Sequence, residues 1–281
     1  MKNPFSHIPW PARFRRAPQV AVLRLDGVIM PRGRMGRGIS IESHASAIEQ
    51  AFKLSRAKAV AIVVNSPGGS PTQSALVHDR IRALADERKL PVYVFCEDVA
   101  ASGGYWIACA GDEVYAKPSS IVGSIGVISA GFGFVEAMEK LGVERRLHTA
   151  GERKSLLDPF RPEDPDDVAR LKALQNELHD LFKHHVRSRR GGRLKASDDV
   201  LFSGEFWSGQ QGLALGLIDG LGDVRAVMRE KFGEKVRLKA FQTGRPLLAR
   251  LGFGSGRVGA EFASTLADEA EQRLAWSRFG L

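Results

Sequence analysis

The chain has 281 residues, with 41 Lys and Arg against 32 Asp and Glu, two cysteines and 43% hydrophobic residues. That length suits one large domain, and the hydrophobic share supports a core and excludes wholesale disorder. Two cysteines, Cys96 and Cys109, both in apolar stretches and without a CxxC pair, exclude a disulfide framework and the common zinc and thiol-redox motifs. The net charge of +9 sits in residues 1–18, 32–37 and 183–195, which together carry +13 and leave the rest of the chain at −4. Such basic edges attract phosphate on nucleic acid or on an anionic membrane face, or are simply solvated.

The elements follow in chain order. The first 18 residues lack the apolar stretch of a secretory signal and read as a basic arm dotted with Phe5, Trp10 and Phe14. Residues 19–29 read as a strand, 30–42 as a Gly- and Arg-rich loop and 43–56 as a helix. Residues 59–64 form the continuous apolar run of a buried parallel strand, stopped by the turn Ser66-Pro67-Gly68-Gly69-Ser70. A helix follows, with Val77, Ile81, Leu84 and Ala85 on one face, and then a second buried strand over 91–96. Ala100-Ala101-Ser102-Gly103-Gly104 opens a short helix. After it come a strand at 113–116, a Gly/Ser loop of β character over 117–130, a helix at 134–141 and a strand at 143–148.

A long helix is next, with Val168, Leu171, Leu174, Leu178, Leu181 and Phe182 as its stripe and the third basic stretch at its end, where the dipole favours cations. Residues 236–241 read as a last strand, and 243–281 as a tail with helical character. Helices alternating with apolar strands predict an α/β fold with a mostly parallel sheet. No uncharged run is suited to crossing a membrane, so the expectation is a cytoplasmic protein or one peripheral to the inner membrane.

Ser102 follows a buried strand and precedes a helix, where free backbone N–H groups favour a developing oxyanion. A plain helix cap is the competing reading. Gly103 and Gly104 allow close approach to the backbone. Gly68 and Gly69 also follow a parallel strand, at the edge where ligands gather, and could offer N–H groups to an oxyanion or a phosphate. No histidine lies between His78 and His148, so a base for Ser102 must be something else. Lys154, in Gly151-Glu152-Arg153-Lys154-Ser155, is a candidate, since a lysine kept neutral by burial can accept a proton.

Several other patterns carry less. Ser55-Arg56-Ala57-Lys58 has the spacing of a penicillin-binding dyad but lacks its companion motifs. His179, His184 and His185 lack HExxH spacing and read as a solvated helix face rather than a metal site. Tyr105 and Trp106 read as core.

The blocks SPGG, VAASGGYWIACAGDEVYA, VGSIGV, GERKSLLDPF and FSGEFWSGQQGLALGLIDGLGD, in this order over roughly residues 19–241, resemble the signal peptide peptidase A family of Ser-Lys serine endopeptidases. The resemblance implies a single domain of the crotonase- and Clp-protease-like fold, a spiral of ββα units, over 19–242. It implies Ser102 as nucleophile, Lys154 as general base and Ser124 as the serine that orients the lysine. It implies an oxyanion hole at Gly69, with Gly68 beside it and the Gly103 amide as second donor. No cofactor or metal is implied. The expected partners are a peptide or unfolded protein substrate and further copies of the chain, with an octamer as the expected assembly and Ser102 and Lys154 of one site from the same copy or different ones. Peripheral membrane contact fits the basic arm; nucleic acid is not expected. The alternatives are an acyl-CoA enzyme of the crotonase kind and a non-catalytic protein binding through its basic edges.

Overall fold

The computed structural model describes residues 17–31, 38–151, 153–242, 273 and 275–280. The basic stretch at 32–37 and nearly all of the 1–18 arm lie outside these residues, as does most of the 243–281 tail.

The apolar runs become long, buried, parallel strands. Strands β1 (Gln19–Asp26), β2 (Ala57–Ser66) and β3 (Val92–Ala101) lie side by side, with Leu23 paired to Ile62 and Ile62 to Val94. Residues buried on both faces explain the continuous hydrophobic sequence of β2. Alternate residues face opposite sides: Ala21, Leu23 and Leu25 join one core with Val60, Ile62 and Val64, while Val20, Ala59, Ala61 and Phe95 join a smaller one. Helices α1 (Ile41–Phe52) and α2 (Pro71–Arg88) cover the first face. On the second, Val227 and Met228 of α8 (Val224–Phe232) close the smaller core.

Strand β3 forks. Its first half, Tyr93–Cys96, pairs with β4 (Glu113–Ala116), and its last residues, Val99–Ala101, pair with β5 (Ile121–Gly123). Beyond β5, β6 (Phe206–Ser208) runs antiparallel, β7 (Gly220–Leu221) extends β4, and β8 (Arg237–Phe241) adds to β1. The short helix α3 (Gly103–Ala108) leaves the end of β3 and packs on the long helix α5 (Pro165–Arg190). Helices α6 (Asp198–Leu201) and α7 (Gly209–Leu215) flank β6. This is the α/β, Clp-protease-like architecture expected from the sequence.

Three local expectations need correction. Residues 143–148 form no strand: they lie exposed beyond α4 (Val135–Leu141), and no strand among the described residues pairs with them. The buried stripe of α5 is Phe182, Val186 and Arg190, whereas Leu174 and Leu181 are more than half exposed: Leu174 precedes the part of the helix that meets the body, and Leu181 sits beside the buried i, i+4 stripe rather than on it. The basic end of α5 is turned inward as well. Arg190 is 2% exposed, bonded to both oxygens of Asp219 and to the Gly216 carbonyl. Arg189 and Arg193 donate to carbonyls of Cys109, Ala110, Gly111 and Asp112.

Candidate active site

Three strand ends converge. The parallel pairing of Ser66 with Ala100 and of Ala101 with Gly123 brings the turn after β2, Ser102 after β3 and Ser124 after β5 to one edge of the sheet. This is the carboxyl edge, where parallel sheets build their sites. Ser102 and Ser124 each follow one residue of the Ala101–Gly123 pair, so they are neighbours on adjacent strands, which are about 4.8 Å apart.

Ser102 is half buried at the N-cap of α3, with φ 51° and ψ −122° and no capping bond from its side chain. Its N–H donates to the Gly123 carbonyl at 2.8 Å, which fixes its backbone to β5. A non-glycine residue here costs about 1–3 kcal/mol of strain, which surrounding structure must sustain. The hydroxyl is therefore free of a capping role and stands at a sharp strand-to-helix turn.

The turn after β2 lies against it. A β-carbon on Gly68 would sit 2.8 Å from the Ser102 β-carbon, so only glycine lets the turn approach this closely. The turn is tied to Ile29, whose N–H donates to the Gly68 carbonyl and whose carbonyl accepts from Ser70. The Gly68 N–H donates to the Ser66 hydroxyl at 3.2 Å. Among the described residues, the N–H groups of Gly69 and Gly103 have no acceptor. They lie close together: a β-carbon on Gly103 would be 3.4 Å from the Gly69 nitrogen. Two unpaired backbone donors close together beside Ser102 are suited to hold an oxyanion.

Ser124 is 6% exposed, has φ 53°, and is anchored through its N–H to the Glu205 carbonyl at 2.7 Å. Its neighbour on the other side is β6, with the Trp207 ring against Gly123. Lys154 is elsewhere. It lies exposed in a turn whose backbone bonds to Gly151, and its ammonium makes no hydrogen bond to Ser102 or Ser124. The turn is held by the Asp158 carboxylate, paired to Arg145 at 3.0 Å, and by the Leu157 N–H bonded to Asp167. One chain thus brings together Ser102, Ser124, Gly68, Gly69 and Gly103, and leaves Lys154 apart.

The profile of Peptidase family S49 matches residues 85–237, and that of Clp protease matches residues 34–122. The first spans more than half of the chain and takes in Ser102, Ser124 and Lys154. The chain belongs to peptidase family S49. The similarity extends to curated proteins. Serine protease SPPA of Arabidopsis thaliana chloroplasts is 28% identical over 86% of this chain and 38% of that protein. Protease 4 of Salmonella typhi is 30% identical over 73% of this chain and 32% of that protein. A higher identity, 52% over 96% of this chain, is found to a protein of Brucella abortus named Na(+)/H(+) antiporter NhaA. The chain spans 38% of that relative's length. Among the described residues no helix is long and apolar enough to cross a membrane.

Two contributors escaped sequence reading. Ser66 belongs to a motif read only for its glycines, yet its hydroxyl takes up the Gly68 N–H. His185, on a helix face whose sequence suggests solvation, is stacked on Trp106 and bonded to that residue's carbonyl, while His179 reaches the Ile125 carbonyl. Their spacing on α5, with Phe182 and Val186, was the available signal.

Proposed function

We propose that this S49 chain is a serine endopeptidase that uses Ser102 as nucleophile and Lys154 as general base. The observation that carries the reading is the strained, uncapped Ser102 beside two unpaired backbone donors at the carboxyl edge of a parallel sheet. In the proposed reaction neutral Lys154 takes the Ser102 proton as the oxygen attacks a peptide carbonyl. The N–H groups of Gly69 and Gly103 hold the oxyanion. The lysine returns the proton to the leaving amine, and water, deprotonated by the same lysine, hydrolyses the acyl-enzyme. Ser124, next to Ser102, is proposed to orient the lysine. Gly68 serves by its lack of a side chain, since its N–H is already engaged by Ser66.

The exposed position of Lys154 supports a further part of the reading: the dyad is completed when the 127–164 segment packs, against its own body or another copy of the chain. Homo-oligomerisation is proposed on that ground, with peptides or unfolded protein, including signal-peptide remnants, as substrates. The antiporter name of a 52%-identical relative supports work at a membrane face. At the third basic stretch the reading as a phosphate binder loses support, because Arg189, Arg190 and Arg193 are bonded within the fold.

A fluorophosphonate probe is expected to label Ser102, read by mass spectrometry of the modified peptide, with a denatured protein as hydrolysis substrate. Labelling confined to another serine, or undiminished hydrolysis by Ser102→Ala, would overturn the mechanism.

A further inference from the structure

Helix α3 carries Ser102 at its start but has only six residues. So short a helix is not stable by itself, and the strained backbone of Ser102 persists only if its surroundings over-determine it. The side chains that hold the C-terminal end of α3 come from its neighbours. His185 Nε2 donates to the Trp106 carbonyl at 3.1 Å, and Arg189 Nε to the Cys109 carbonyl at 2.8 Å. These residues are four apart on α5 and so share one face. Arg82, from α2, donates to the Ala110 carbonyl at 3.0 Å.

The Trp106 ring is gripped as well. It lies flat on the His185 imidazole, with centroids 4.3 Å apart and planes 9° from parallel, and leans on Phe182. His78 of α2 meets the other ring edge-on at 4.4 Å, with its Nδ1 bonded to Asp79. The backbone N–H of Trp106 donates to the Ser102 carbonyl at 3.0 Å, so this stack stands one turn below the proposed nucleophile. Burial, with the charges of His78 and Arg189 adding to it, pushes His185 down to about 4, so the ring is neutral and its single N–H is the one aimed at the Trp106 carbonyl.

We propose that His185 is a positioning residue for Ser102: its hydrogen bond to the Trp106 carbonyl and its stacking on the Trp106 ring fix the rotation of α3, and with it the direction of the Ser102 hydroxyl and the Gly103 N–H. The inference rests on the reading of Ser102 as nucleophile. It assigns the α5 face a role in rate rather than in substrate binding, because His185 meets α3 at Trp106, one turn along from Ser102, and touches neither Ser102 nor the Gly68–Gly69 turn.

The test compares His185→Ala, His185→Phe and His185→Gln with the unaltered chain and with Ser102→Ala, reading kcat, KM, the rate of fluorophosphonate labelling and the melting temperature. Loss of both contacts in His185→Ala is expected to lower kcat and labelling by about 10²-fold, the cost of a displacement of the order of 1 Å, with KM within about twofold. His185→Phe keeps a ring in the stack, and so the fold, but not the hydrogen bond, and is expected to remain slow. Gln returns an N–H to the Trp106 carbonyl and is expected to recover most of kcat. Full kcat in His185→Phe, no recovery in His185→Gln, or a loss that appears in KM alone, would each overturn the proposal. Should Ser102→Ala itself remain active, the nucleophile reading falls first; should Ser102→Ala be inert while His185→Phe is fully active, only this inference falls.

Discussion

The strand ends that hold Ser102, Ser124 and Gly69 rest on a sheet whose central side chains are wholly buried, and their backbone groups are tied in turn to Gly123, Glu205 and Ile29. The segment that holds Lys154 is built the other way. From 127 to 164 no described residue is buried as a whole, and Ile128, Phe132, Leu141 and Val143 are each more than half exposed. The groups whose positions must be preset, a strained serine and two amide donors, are thus placed where packing fixes them. The proposed base lies on a segment with little contact of its own. Preorganised donors act at full strength only if they do not move, whereas a long lysine side chain can be delivered by a segment that packs later.

This contrast is most sharply tested by pairing activity with stability. Ser102→Ala and Lys154→Ala are both expected to reduce peptide hydrolysis by about 10⁴-fold or more, as removal of members of a catalytic set does. Lys154 is exposed and without a side-chain partner among the described residues, so its substitution should alter unfolding free energy by less than about 0.5 kcal/mol. Denaturant melts alongside a chromogenic peptide assay would check both. An active Lys154→Ala would remove the base from the exposed segment and end the contrast.

The next effect belongs wholly to the body. Arg190 and Asp219 form a buried ion pair at 2.7 Å, and the Asp219 carboxylate also accepts the N–H of Val114. Burial pushes this carboxyl up, but the bonds and charge of Arg190 outweigh it, and the group lies below its ordinary range. Deleting one partner of such a pair strands the other, at about 3–5 kcal/mol. Arg190→Ala should therefore lower stability by that order in urea melts, and an unchanged midpoint would show that the packing of α5 on the body does not depend on it. In the exposed segment the Arg145–Asp158 pair has a buried carboxylate but a guanidinium about a third exposed, so the cost of breaking it should be smaller.

A smaller effect follows pH. Burial lowers His44, His78 and His185, the last to about 4. His78 faces Asp79 and Arg82 on its own helix and Arg189 and His185 across the contact, and the carboxylate only partly offsets burial. A histidine depressed in the folded state is protonated more readily when unfolded. Its contribution to stability is therefore complete above about pH 6.5, the unfolded value, and is lost as pH falls toward 4. Melting temperature should decline through that window, and His185→Gln should flatten the decline. A curve unchanged by that substitution would take His185 out of the acid response.

The same division explains what was legible in the sequence. Strands β2 and β3 declare themselves through continuous apolar runs because they are largely buried on both faces, whereas β1 alternates buried Ala21, Leu23 and Leu25 with half-buried Val22 and Arg24. The three strand-end motifs declare themselves through glycine and serine, where only glycine tolerates the close approach of Gly68 to Ser102. Strands β6 and β7 were not legible, since runs of three and two residues are too short to show a period. The arginines at the end of α5 looked like a solvated edge, because sequence shows charge but not the carbonyls of 109–112 and 216 that the fold carries to them. Leu174 and Leu181 looked like core because a helical stripe records amphipathicity and not how far a partner surface extends. The exposed segment misled in the same way. Residues 143–148 have the composition of a strand, but a strand needs a neighbour.

The smallest expected effect lies in that segment and bears on why its apolar residues are there. Phe132 is 81% exposed, so Phe132→Ser should change the unfolding free energy of an isolated chain by no more than about 0.5 kcal/mol. The equivalent change at fully buried Ile62, Ile62→Ala, should cost about 2–5 kcal/mol. If the segment packs against another copy to deliver Lys154, Phe132→Ser should nonetheless shift sedimentation toward smaller species and reduce peptide hydrolysis, with stability unaltered. Activity and assembly that both ignore Phe132→Ser would leave the exposed phenylalanine without a part in delivery, and the lysine would then have to reach Ser102 by movement of its own chain alone.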